Sequence, residues 1–255
     1  MLDFSCFIGP WPTHPLAVET FDELRQLHEK NGISGGFVSN LKSVFYRDFF
    51  YSEEELYQQI KGTSYRQIMT VNPKYPACMD IVRHGIENWN IAGVRITPTY
   101  HGYDLTAPEL EELCQILKDA GLPLYLTMNL EDVRNSYLLI PESLRVSQIC
   151  QWLDEHHDVT VLICGGGTYD MGGLSKAILN HPAAFFDPSG CRHTSAPLTL
   201  LRPEMLTRLV YGSMAGVLCL KSSLLHMEMG DVPPEQVKRS MEGTDFLAKC
   251  PGIHF

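Results

Sequence analysis

The chain has 255 residues, 44% hydrophobic and 20% charged, enough to bury one large core and ordinary for a globular protein. Twenty Lys and Arg stand against thirty Asp and Glu, a formal charge of −10 with no basic run, which excludes a phosphate-backbone partner such as nucleic acid. Met1 to Cys6 offer neither a basic stretch nor an apolar one, so no signal peptide is expected, and apolar runs such as Val159 to Cys164 are too short to span a bilayer. No two of the eight cysteines fall at CxxC spacing, which removes the zinc-ribbon and thioredoxin-like classes and leaves the expectation of a cytoplasmic protein with reduced thiols.

Short apolar runs alternate with longer amphipathic ones along the whole chain. Phe4 to Ile8 is expected as a strand, and Phe21 to Asn31 as a helix with Phe21, Leu24, Leu27 and His28 on one face. Ile33 to Ser39 follows as a strand, then Ser52 to Lys61 as a helix with Ser52 as its N-cap. Gln67 to Val71, the helix 77 to 88, and the strand Gly93 to Ile96 complete the first half. Ala107 to Ala120 is expected as a helix with Pro108 at its start and Gly121 past its end. Strand Leu122 to Met128, helix Ser143 to His156, strand Val159 to Cys164 and helix Leu174 to Asn180 come next. Strand Ala183 to Asp187, a short helix Pro203 to Arg208, strand Leu209 to Ser213 and a closing helix Pro233 to Lys249 end the chain. Eight strands alternating with helices imply parallel pairing. A single α/β domain, a closed (β/α)₈ TIM barrel over residues 1 to 255, is the expected fold, with an open doubly wound sheet as the alternative.

Leu2-Asp3-Phe4-Ser5-Cys6-Phe7-Ile8-Gly9 resembles the first strand of the amidohydrolase superfamily, in its branch of metal-dependent hydrolases and decarboxylases. Gly93-Val94-Arg95-Ile96-Thr97-Pro98, Leu122 to Thr127, Phe185-Phe186-Asp187-Pro188-Ser189, Arg208 to Ser213 and the closing helix with Met241 to Leu247 are similar to later segments of the same family. The resemblance implies a barrel whose mouth holds zinc or another divalent metal on histidines of an Asp-x-His-x-His strand. Ser5 and Phe7 stand at those two histidine positions, Thr127 at the strand-five histidine, and Met214 where the family keeps its catalytic Asp. Phenyl and hydroxyl groups are poor substitutes for imidazole as metal ligands, so a degenerate site without metal or cofactor is expected.

In such barrels the chemistry sits on the loops that follow the strands. The candidates for catalysis are His101, whose ionisation range suits proton transfer, and the adjacent carboxylates Glu131 and Asp132. For substrate contact the candidates are Ser5, Phe7, Arg95, Tyr100, Ser189, Met214 and Arg134, the last offering a bidentate fork for a carboxylate. Arg95 lies inside an apolar strand, where an unpaired charge is costly, and an ion pair with Asp3 or Asp187 is expected. Gly165-Gly166-Gly167 matches no nucleotide-binding fingerprint and reads as a tight turn.

Three functions are compatible with this pattern. The first is a metal-free hydrolase or lyase acting on a small carboxylated or lactone-like substrate. The second is an inactive barrel that binds a small molecule or a protein partner, and the third a metal hydrolase with displaced ligands such as His101, His193 and Glu131. A small-molecule ligand is the expected partner, and the family resemblance implies homodimers.

Overall fold

Alternation along each strand sorts its side chains between two apolar regions, and this sorting builds the barrel wall. The computed structural model describes residues 1–131, 144–191, 202–229 and 232–254. β1 (Leu2–Ile8) runs parallel to β2 (Gly35–Asn40), and β2 to β3 (Arg66–Gln67). Beyond Ile68, β4 (Met69–Val71), β5 (Val94–Ile96), β6 (Leu124–Thr127), β7 (Val161–Cys164) and β8 (Ala184–Phe186) continue the parallel order.

Closure comes from residues 209–215. Val210 N donates to Phe186 O at 2.9 Å, Phe4 N to Tyr211 O at 2.9 Å and Phe7 N to Ala215 O at 2.7 Å, so this segment sits between β8 and β1. It is the expected eighth strand, present as single bridges rather than a regular ladder. The fold is therefore a closed (β/α)₈ barrel, not an open sheet.

The helices form the outer layer. α1 (Phe21–Lys30) begins with a capping box the sequence reading missed: Glu23 N donates to Thr20 Oγ1 at 3.3 Å, and Thr20 N to Glu23 Oε2 at 3.0 Å. After β2 come α2 (Lys42–Phe45) and α3 (Phe50–Ile60). Ser52 is not an N-cap, because α3 starts two residues earlier and the Ser52 hydroxyl donates back to Phe49 O at 2.9 Å. α4 (Cys78–His84) runs into a π-turn over Gly85–Trp89 that ends at Asn90, left-handed with φ 49°. α5 (Pro98–His101), α6 (Pro108–Ala120), α7 (Val146–Glu155), α8 (Thr168–Asn180) and α9 (Leu220–Met229) follow. Gly172 and Gly173 lie inside α8, where the missing side chain of Gly173 lets Val146 of α7 approach. The closing helix splits into α10 (Pro234–Glu242) and α11 (Thr244–Leu247), because Gly243 between them is left-handed at φ 63° and packs against the Phe4 ring. No helix among the described residues is long and apolar enough to cross a membrane.

The outward residues of the strands, such as Val38, Val94, Ile96, Leu124, Val161 and Ile163, pack under the helices. The inward ones form a separate interior of Phe4, Phe37, Tyr125, Leu162 and Phe185. Phe246 of α11 plugs its N-terminal end, with ring centroids 5.9 Å from Phe4, 6.2 Å from Tyr125 and 5.5 Å from Phe185.

Candidate active site

A shift in the β1–β2 register between Asp3 and Cys6 decides what reaches the barrel mouth. This irregularity puts Phe4, Ser5 and Phe7 on the inner side, while Cys6 and Ile8 pack outward and Asp3 faces His28 of α1. Ser5 and Phe7 therefore do share one destination, as strand parity suggests, and what they meet there is a side chain.

That side chain is Arg95 of β5, fully buried on the barrel interior. Its Nε donates to Ser39 Oγ at 2.9 Å, its Nη1 to Thr127 Oγ1 at 2.8 Å and its Nη2 to Ser5 Oγ at 3.0 Å. Its Cζ lies 4.5 Å from the Phe7 ring centre and 5.2 Å from that of Tyr125. The expected ion pair with Asp3 or Asp187 is not formed. Neutral hydroxyls from three strands and two aromatic faces hold the charge instead. Of the five guanidinium N–H groups, these bonds use three, and the other two have no partner among the described residues.

The interior also holds a buried acid. Asp187, just past β8, is fully buried; its Oδ1 accepts from Gly165 N at 3.3 Å, from Ser189 N at 3.1 Å and from the Ser189 hydroxyl. Its Oδ2 has no partner among the described residues, and burial raises its carboxyl above the ordinary carboxylate range. The Cys164 thiol, at the end of β7, donates to Leu162 O at 3.6 Å. Ser189 is thus a support for Asp187. Met214 is buried at the mouth with an unusual left-handed φ of 50°, its amide donating to Ser5 O at 2.6 Å.

Aromatic rings roof the mouth. Trp11 packs edge-on against Phe45 at 4.8 Å and Tyr100 at 6.2 Å, and Phe45 lies 6.0 Å from Tyr100. The Tyr100 hydroxyl is buried without a partner among the described residues, and burial followed by the charge of Glu131 pushes its ionisation up. Glu131 is itself raised by burial, offset in part by His14, and its Oε1 has no partner among the described residues.

His101, the candidate for proton transfer, lies on α5. Its Nε2 lies 3.1 Å from Val44 O and its Nδ1 3.3 Å from Thr97 Oγ1, and burial pushes its pKa down to about 4. With both ring nitrogens engaged and the ring neutral, it braces α5 against α2. Asp132, Arg134 and His193 lie outside the described residues.

Behind β1 the structure forms a second polar centre that the sequence reading did not anticipate. Asp3, Cys6 and His28 are fully buried, with one ligand-type atom of each within 4.8 Å of the others, the one such group among the described residues. Asp3 Oδ1 accepts from Ser5 N at 3.1 Å and Ser213 N at 3.0 Å, and Oδ2 accepts from the Ser213 hydroxyl. The signal was present in the sequence: His28 sits on the buried face of α1, where an imidazole needs a polar partner.

The sequence matches no protein-family model and no curated protein. Solved structures do match over nearly the whole chain. 5-Carboxyvanillate decarboxylase from Sphingomonas paucimobilis superimposes with a TM-score of 0.74 at 9% identity, covering 98% of each chain. A dihydroxybenzoic acid decarboxylase from Polaromonas, solved with bound manganese and the inhibitor 2-nitroresorcinol, gives 0.72 at 11% identity, covering 100% of this chain and 99% of its own. An amidohydrolase II structure gives 0.68 at 15% identity, covering 98% and 99%. At these identities the likeness establishes the barrel fold.

The manganese in the Polaromonas structure overturns one expectation, that of a chain without metal or cofactor. Ser5, Ser39, Thr127 and Arg95 do not fit a divalent ion among themselves, since they offer hydroxyls and a fixed positive charge. The described residues whose donor chemistry does fit are Asp3, Cys6 and His28.

Proposed function

We propose that this protein is a hydrolase or lyase acting on a small carboxylated substrate at the C-terminal mouth of its barrel. The observation that carries the reading is the buried Arg95 guanidinium, oriented by Ser5, Ser39 and Thr127 with two N–H groups unused among the described residues. A planar fork of this kind matches a carboxylate in geometry and charge. Asp187 complements it. Burial keeps its carboxyl protonated to higher pH, and its free Oδ2 can give a proton to the reacting carbon or oxygen and take it back. Glu131 and the Tyr100 hydroxyl supply further unpartnered polar atoms at the rim. The acid decarboxylases among the similar structures act on carboxylated aromatics, which supports the same substrate class here.

Because the guanidinium is fully covered, with the Phe7 ring centre 4.5 Å from its Cζ, substrate reaches Arg95 only when this cover shifts. The same cover favours a second reading, a barrel that binds a small carboxylate without turning it over.

The test is calorimetric titration with a panel of small carboxylic acids and their methyl esters, followed by turnover assays on every binder. Binding of acids but not esters, weakened at least 100-fold in Arg95→Lys, is the expected result, since lysine keeps the charge and loses the fork. Equal binding of acids and esters, or none at all, would sink the carboxylate reading. Binding without turnover would select the inactive barrel.

A further inference from the structure

The buried Asp3–Cys6–His28 centre has the composition of a metal site, and nothing in the chemistry of the mouth uses it. Asp3 and Cys6 come from β1, separated by the register shift that turns them toward the same side, and His28 comes from the inner face of α1. One oxygen, one sulfur and one imidazole nitrogen make the mixed donor set that zinc and chemically similar divalent ions accept. Two anionic ligands would also balance a divalent charge, which is the condition for burying an ion with no solvent contact.

Four features around these side chains bear on a ligand. The His28 Nε2 faces Asp3 Oδ2 at 3.2 Å, yet it makes no hydrogen bond there, so a buried imidazole nitrogen points into the centre without a satisfied partner. Its other nitrogen, Nδ1, lies 3.0 Å from the Tyr65 hydroxyl, an outer contact of the kind that orients metal-binding imidazoles. Gly36 of β2 leaves the space open: a Cβ there would stand 3.1 Å from Asp3 O, 3.3 Å from Cys6 Sγ and 3.3 Å from His28 Cε1. Finally, the buried hydroxyl of Tyr211, on the segment that pairs with β1, has no hydrogen-bond partner among the described residues.

We propose that Asp3, Cys6 and His28 form a structural site for a thiophilic divalent cation of the zinc class, which ties α1 to β1 beside the seam where residues 209–215 close the barrel. The ligand atoms need only small rotations to reach it. Tetrahedral zinc at ordinary bond lengths separates its ligands by about 3.3 to 3.8 Å, against the 4.8 Å that bounds this group. The ion enters as the chain folds, because the centre is sealed from solvent afterwards. This site is separate from Arg95 and stands or falls independently of the reaction at the mouth.

The experiment is to unfold the protein in chelator, refold it with cobalt(II), and record metal content and the thiolate-to-cobalt charge-transfer band. One ion per chain is expected, with a band that disappears in Cys6→Ser and persists in Cys164→Ser. No band, a band that survives Cys6→Ser, or a band lost only in Cys164→Ser would overturn the assignment, the last by moving the metal to the mouth. Should Cys6→Ser fail to fold, zinc-edge X-ray absorption on wild type and Cys164→Ser refolded with zinc in place of cobalt decides the matter. A single sulfur near 2.3 Å with nitrogen and oxygen neighbours in both proteins is the supporting spectrum. A shell without sulfur, or with more than one, refutes the site.

Discussion

The two sides of β1 solve the problem of buried polarity in opposite ways. Inside the barrel, a permanent cation is held by neutral groups: Arg95 rests on Ser5, Ser39 and Thr127 and between the rings of Phe7 and Tyr125. Outside it, an anion organises its surroundings. Asp3 collects the amides of Ser5 and Ser213, the Ser213 hydroxyl and the edge of His28. Ser5 takes part in both, with its hydroxyl on Arg95 and its amide on Asp3, so one irregularity in β1 sets both centres. Ser5, which the family resemblance sets at a histidine position, is in the folded chain a hydrogen-bond acceptor for the Arg95 guanidinium.

Breaking the outer centre should cost most. Asp3→Ala leaves two amides and a hydroxyl without their acceptor and removes the carboxylate that faces His28, and is expected to destabilise the protein by about 3–5 kcal/mol in denaturant titration. A loss under 1 kcal/mol would mean that the Asp3 contacts do not organise the seam. Next comes a carboxylate that belongs to neither centre and serves as a reference. Glu53 of α3 accepts from Gln67 Nε2 at 2.7 Å and Thr70 N at 3.1 Å across the gap at Ile68, and burial pushes its pKa up to about 7. A raised carboxyl pKa resists ionisation in the folded state. Its contribution is therefore intact below the unfolded value and is lost as pH climbs to the folded one. Between pH 5 and 8 the wild type should lose up to about 3 kcal/mol through this group, and Glu53→Gln should flatten the curve.

Smaller effects distinguish the inner centre. Ser5→Ala, Ser39→Ala and Thr127→Val should each cost about 1–2 kcal/mol, and pairs of them should depart from additivity because all three hold one guanidinium. Strict additivity would show that Arg95 does not couple them. The smallest change is expected at His101, neutral above about pH 4 and hydrogen-bonded to backbone. His101→Gln should leave the pH dependence of any turnover unaltered from pH 6 to 9, whereas a general base there would remove its acid limb.

Much of the architecture was legible in the chain because hydrophobic periodicity is local. The helix faces of α1 and α6, the stop at Gly121 and the strands around Val94 and Val161 follow from spacing alone. The positions of Ser5 and Phe7 at the mouth were legible for the same reason. The partners of Arg95 were not, since Ser39, Ser5 and Thr127 lie 56, 90 and 32 residues away and are brought together only by barrel closure. Its expected ion pair was wrong because a sequence reveals the cost of a buried charge and not which distant groups offset it.

His101 shows the same limit, as its burial and its contact with Val44, 57 residues distant, are set by the fold and not by local pattern. The register shift in β1 is a third case. Strict alternation would send Asp3, Ser5 and Phe7 to one side, and the extra residue instead turns Asp3 toward His28. By itself the sequence determined the parallel barrel, its acidic character and the residue types at its mouth, because these depend on composition and short-range pattern. Only the tertiary structure decided which buried charges meet which hydroxyls, since those contacts are set by closure of the ring and by one irregular step in its first strand.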